Sequence, residues 1–124
     1  MTIEVTGESA VVNGVPSMID EIIYNLCENA VKYNKPGGKV TIFTGEENGK
    51  KVIKVSDTGI GIPKEHFNRI FERFYRVDKS HSRKIGGTGL GLSIVKHGAA
   101  YNGAHVTVES REGEGSTFTV IFEK

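Results

Sequence analysis

Asn25-Leu26-Cys27-Glu28-Asn29-Ala30-Val31-Lys32-Tyr33 is the stretch on which the reading of this chain turns. Residues three, four and seven apart share a helix face, so Asn25, Asn29, Lys32 and Tyr33 form one polar stripe. Met18, Ile19, Ile22, Ile23, Leu26, Ala30 and Val31 supply the apolar side of the same helix. Pro16 suits its first turn, and Pro36-Gly37-Gly38 stops it. An amide oxygen can ligate Mg²⁺, an ammonium can meet phosphate, and a phenol ring can cover a flat base. A solvated helix face of no special purpose has the same pattern. Two asparagines inside a helix argue against that plainer account, because asparagine is a poor helix former.

Two further blocks follow. Val52, Ile53 and Val55 read as a strand that ends at Asp57-Thr58-Gly59-Ile60-Gly61-Ile62-Pro63. Gly59 and Gly61 remove side chains where something must approach the backbone. Asp57 is placed to accept a hydrogen bond from an exocyclic amine, although Asp-Thr-Gly is also ordinary turn chemistry. The third block, Gly86-Gly87-Thr88-Gly89-Leu90-Gly91-Leu92, precedes an apolar helix. A glycine-rich loop feeding a helix N-terminus presents backbone N–H groups and the helix dipole to an anion. It is not a P-loop, since Leu92-Ser93 stands where lysine and Ser/Thr belong, and the G-x-G-x-x-G fingerprint does not occur. In this order and spacing the blocks describe a pocket for ATP held through magnesium.

The chain resembles the catalytic and ATP-binding domain of bacterial sensor histidine kinases, in the superfamily shared with gyrase, the Hsp90 chaperone and the MutL repair protein. Residues 25–33 resemble the family's N box, 57–61 its G1 box, 71–76 (Phe-Glu-Arg-Phe-Tyr-Arg) its F box and 87–91 its G2 box, with residues 77–86 as the ATP lid. The likeness runs from about Ser17 to Phe122. It implies one domain over residues 1–124: a two-layer α/β sandwich of Bergerat type, with a mixed sheet of about five strands, three helices and a lid.

The resemblance also implies roles. Asn29 would hold Mg²⁺, with Asn25 beside it. Lys32 and Arg76 would meet the phosphates and act in catalysis, Arg76 at the γ-phosphate. Asp57 would read the adenine amine, partly through water, and Tyr33 would pack on the base. Gly59, Gly61 and Ile62 would line the site beside Asp57, and Tyr75 would anchor the base of the lid next to the nucleotide. Gly87, Thr88, Gly89, Leu90, Gly91 and Leu92 would bring the lid to the triphosphate. The superfamily's ATPases carry a water-activating glutamate one helical turn before the magnesium-binding asparagine. Here that position is Asn25, and an amide is no general base at neutral pH. The site therefore reads as built to hold ATP for transfer. Glu28 points roughly 100° away from Asn29 around the helix and reads as a solvated or structural carboxylate.

Other features bound this expectation. The family's dimerising hairpin, with its phosphoacceptor histidine, is not in the sequence. His66, His81, His97 and His105 are followed by Phe, Ser, Gly and Val, not by the acidic residue an acceptor carries. No Cys/His cluster has zinc spacing. The lone Cys27 cannot make an intrachain disulfide, which suits a cytoplasmic location. Net charge of +1 gives no reason to expect nucleic acid as a partner. No membrane span is legible, while the parent kinase is expected to be membrane-anchored. Gly98 interrupts the last helix, at a cost of about 1 kcal/mol relative to alanine unless something packs closely there.

The remaining elements are read from pattern. Ile3-Glu4-Val5 and Val11-Val12 are short strands. Val40–Thr44 and Lys51–Ser56 form a hairpin turning at Asn48-Gly49. Pro63–Phe71 and Thr88–Tyr101 are helices, and Ala104–Ser110 and Ser116–Phe122 form a last hairpin. The expected partners are ATP and ADP, the missing histidine-bearing domain and, through it, a response regulator. The isolated domain is expected to be a monomer that does not phosphorylate itself. A serine-directed switch kinase or slow ATPase of the same superfamily, and a nucleotide-binding module without activity, are the competing classes.

Overall fold

The computed structural model describes residues 2–7, 14–72 and 91–123. Five strands form one mixed sheet: β1 (Thr2–Gly7), β2 (Lys39–Glu47), β3 (Lys50–Asp57), β4 (Ala104–Arg111) and β5 (Gly115–Phe122), in the order β1-β2-β3-β5-β4. Among the described strands only β1 and β2 run parallel, and the connection between them contains α1 (Pro16–Lys32). Parallel neighbours need such a crossover, whereas the other pairs are antiparallel. The β2–β3 turn is Asn48-Gly49, with φ of 54° and 79°, the left-handed pair that a two-residue hairpin demands.

Two α-helices among the described residues cover one sheet face, α1 and α2 (Gly91–Tyr101). Ile22, Leu26 and Ala30 recur every four residues on α1 and are buried, as are Val95 and Ala99 on α2. They meet Val40, Val55, Phe118, Val120 and Phe122 of the sheet. Gly98 is where the helices approach closely. A Cβ there would lie 3.2 Å and 3.3 Å from two side-chain carbons of Ile22, so close packing explains the helix glycine. Asn102 fastens the far ends. Its Oδ1 accepts from the Val15 N–H at 2.7 Å, and its Nδ2 donates to the Gly98 carbonyl at 2.7 Å.

The expected helix over Pro63–Phe71 is corrected. The segment is a 3₁₀ turn at Lys64–His66 followed by further turns, with mainly i→i+3 bonds such as His66 N–H to the Pro63 carbonyl at 3.0 Å. His, Phe and Asn are weak helix formers, and short 3₁₀ pieces suit connectors. The turns bury Ile70 and set Phe71 edge-on to Phe118, with ring centroids 6.1 Å apart. The strand expected at Val11-Val12, the F box from Arg73 onward, the lid and residues 87–90 of the G2 box lie outside the described residues.

Candidate nucleotide-binding site

The polar stripe of α1 faces the start of α2. Asn25 Nδ2 donates back to the Glu21 carbonyl at 2.8 Å, which leaves its Oδ1 to project from the helix. A Cβ on Gly91 would lie 3.4 Å from that oxygen. The first and third sequence blocks therefore meet at Asn25 and Gly91. Asn29 lies one turn further along the same face and is partly exposed. Lys32, in the last turn, pairs with Glu28, Nζ to Oε1 3.0 Å. Tyr33 caps the helix as its C-terminal neighbour.

The second block hangs from that cap. Ile60 N–H donates to the Tyr33 carbonyl at 3.0 Å, and Gly113 N–H donates to the Ile60 carbonyl at 2.7 Å. Ile62 N–H donates to Ser110 Oγ at 2.7 Å. The loop is thus clamped between the end of α1 and the tip of the β4–β5 hairpin. Two glycines permit this. A Cβ on Gly59 would collide with the Tyr33 carbonyl, and one on Gly61, at φ 74°, would collide with the Arg111 carbonyl. Thr58 fixes the base of the loop, where its N–H donates to the Lys39 carbonyl at 3.1 Å and its Oγ1 accepts from Lys39 N–H at 2.9 Å.

Asp57 ends β3 on the helix-covered side, paired with Val40 and Ser116. Its Oδ1 accepts from Gly59 N–H at 2.9 Å. Burial pushes the Asp57 carboxyl above the ordinary aspartate value, while bonds from the Gly59 and Ser116 main chains pull it back down. It borders a polar cleft of about 480 Å³ with Ser110, Arg111, Ser116 and Thr117. Ser110 Oγ and Ser116 Oγ are 2.8 Å apart, and Ser110 also donates to the Gly115 carbonyl at 2.9 Å. Sequence reasoning missed this serine pair and the anchoring carbonyls of Tyr33 and Arg111. Main-chain carbonyls leave no signal in residue identity; Gly59 and Gly61 signal that something approaches the backbone there, but not which carbonyls do so.

The donor set suits magnesium bound to a nucleotide. Mg²⁺ keeps several waters and takes few protein oxygens, and the partly exposed amide of Asn29 offers a hard oxygen of the kind it takes. Among the described residues no group of three or more His, Cys, Asp or Glu converges as a metal cage. Arg76, Tyr75, Gly87, Thr88, Gly89 and Leu90 lie outside the described residues, while Leu92 packs against the core from the first turn of α2.

A five-stranded mixed sheet covered by two helices among the described residues, with the polar stripe of α1 meeting Gly91 at the start of α2, fits a nucleotide-binding domain. The chain belongs to the family of histidine kinase-, DNA gyrase B- and HSP90-like ATPases, whose model matches residues 14–124, and within it to the catalytic domains of sensor histidine kinases. It is 42% identical over 123 residues to sensor histidine kinase YkoH of Bacillus subtilis, covering 98% of this chain and 26% of YkoH. Its fold is similar to that of the mycobacterial sensor histidine kinase MprB, with TM-score 0.85 at 27% identity, over 98% of this chain and 82% of that one. It is also similar to full-length ShkA solved in complex with AMPPNP, with TM-score 0.74 at 30% identity, over 97% of this chain and 25% of ShkA. The chain thus spans about a quarter of the length of such full kinases. No helix of the described residues is long and apolar enough to cross a membrane.

Proposed function

We propose that this chain binds Mg-ATP and passes the γ-phosphoryl group to a histidine nitrogen on a dimerisation domain of its parent kinase. The bond from Pγ to the ADP oxygen breaks and a P–N bond to the imidazole forms. The observation that carries the reading is the meeting of Asn25 with Gly91. It supports the reading because an amide stripe, without a carboxylate base at position 25, lies beside a helix N-terminus, an element suited to phosphate. The complex of ShkA with AMPPNP supports the ligand class.

Little covalent chemistry falls to the protein in such a transfer, which rests on positioning and charge stabilisation. Asp57 accepts a hydrogen bond from the adenine amine, with Ile62, Gly59 and Gly61 shaping the base end. Tyr33 packs on the base. Lys32 and Arg76 carry positive charge to the phosphates. Asn29 would hold Mg²⁺, which when bound neutralises charge on the phosphate oxygens. The parent is a membrane-anchored sensor whose catalytic domain works in the cytoplasm as a monomeric unit, and the phosphohistidine then serves a response regulator.

Calorimetric titration with ATP and ADP, with and without Mg²⁺, tests the binding half. Binding strengthened by magnesium is expected, and its absence contradicts the reading. Arg76→Ala is expected to reduce transfer to a histidine partner more than it reduces binding, because a γ-phosphate contact counts most in the transition state.

A further inference from the structure

Lys32 stands between two competing anions. Its ammonium is 3.0 Å from Glu28 Oε1, four residues earlier on α1. Glu28 also accepts a hydrogen bond from the hydroxyl of Tyr24, one turn earlier again. Tyr24, Glu28 and Lys32 therefore form a ladder down one side of the helix. At about 100° per residue, Lys32 projects about 40° from Glu28 on one side and about 60° from Asn29 on the other. The flexible lysine stem can swing to either side, and an ammonium drawn to an anion at the Asn25/Asn29 stripe loosens its contact with Glu28. In the structure it rests on Glu28.

We propose that Glu28 is a positioning residue that withholds Lys32 from the nucleotide, so that triphosphate must displace a carboxylate to recruit the lysine. The proposal rests on the reading of Lys32 as a phosphate-binding side chain. A terminal γ-phosphate carries more negative charge than a carboxylate and competes well for an ammonium. A diphosphate ends one group short and competes less. Glu28 thereby lowers the affinity for ATP, and it takes Lys32 back when the γ-phosphoryl group leaves. The tether formed by Tyr24 keeps the carboxylate at hand for that return.

A four-variant calorimetric cycle tests this: the parent chain, Glu28→Gln, Lys32→Met and the double variant, each titrated with Mg-ATP and Mg-ADP. Helix i,i+4 ion pairs are weak, so Glu28→Gln is expected to tighten ATP about two- to threefold, and ADP by less. The same change in the Lys32→Met background is expected to be silent. If Glu28→Gln leaves ATP affinity unchanged or weakens it while Lys32→Met weakens it, the withholding role is overturned and the phosphate role of Lys32 stands. Equal tightening in both backgrounds also overturns it, because Glu28 would then repel the phosphates directly. If Lys32→Met leaves ATP binding unaltered, the phosphate role of Lys32 fails and this proposal fails with it.

Discussion

The main-chain N–H of Ile60 donates to the carbonyl of Tyr33 at 3.0 Å, tying the loop after β3 to the end of the helix that carries Asn25, Asn29 and Lys32. One hydrogen bond thus joins the loop proposed to hold the base to the helix proposed to meet the phosphates. It exists because Gly59, next in line, has no Cβ to collide with the same carbonyl.

Gly59→Ala is therefore expected to push the loop off the helix. Overpacking of this kind typically costs about 1–3 kcal/mol. Urea denaturation should show that loss, together with weaker nucleotide binding. A variant of parental stability would mean the loop yields freely and the bond is not a constraint.

Asp57→Asn separates binding from stability. Loss of a buried or charge-assisted hydrogen bond should weaken ADP binding by about 1–3 kcal/mol. Because the carboxyl is raised in the folded chain, its contribution to stability is fully present below its unfolded value and is lost as pH rises through its folded value. At pH 7 the ionised group thus costs stability, and asparagine, which still accepts from Gly59 N–H, relieves that cost. Thermal unfolding without nucleotide should find the variant at least as stable as the parent at pH 7, with the difference shrinking as pH falls into the carboxylate range. Lower stability at pH 7 would contradict the burial argument.

Asn29→Ala should remove the gain in ATP affinity given by Mg²⁺ while leaving the fold intact, since Asn29 is a partly exposed helix residue. Titrations with Mg²⁺ and with excess chelator make the comparison. A variant that keeps the full magnesium gain assigns the ligand elsewhere.

Gly98→Ala sets helix propensity against packing. Alanine gains about 1 kcal/mol over glycine in a helix interior, but its methyl would press on Ile22, and overpacking costs about 1–3 kcal/mol. The close approach to a core side chain decides the sign, so a net loss of about 1 kcal/mol is expected in chemical denaturation. A gain would show that Ile22 moves aside.

Much of this architecture was legible in residue pattern. The stripe from Asn25 to Tyr33 announced α1, because a 3.6-residue period leaves few alternatives, and Asn48-Gly49 announced the hairpin through its left-handed backbone. The Pro63–Phe71 segment was misread as a helix. Its apolar spacing suits one, but weak helix formers and the burial of Ile70 favour tighter turns. The parallel pairing of β1 with β2 had no local signal, as it depends on where a crossover returns. At the site, Asp57 and the glycines stood out by residue type. The carbonyls of Tyr33 and Arg111 did not, since every residue has one. The Ser110–Ser116 contact joins two strands across a turn and becomes visible only once the register is known. Glu28 is placed by its helix angle to Asn29 alone, whereas its i,i+4 spacing to Lys32 is the one that carries its pairing.

The claim that this chain transfers phosphate, and does not hydrolyse ATP freely, is tested most directly by mixing it with a separate histidine-bearing dimerisation domain and γ-labelled ATP. The account predicts slow phosphate release by the chain alone, no label on the chain itself, and acid-labile label on the partner's histidine. Rapid steady-state release of phosphate by the isolated chain, or label on serine, would contradict it.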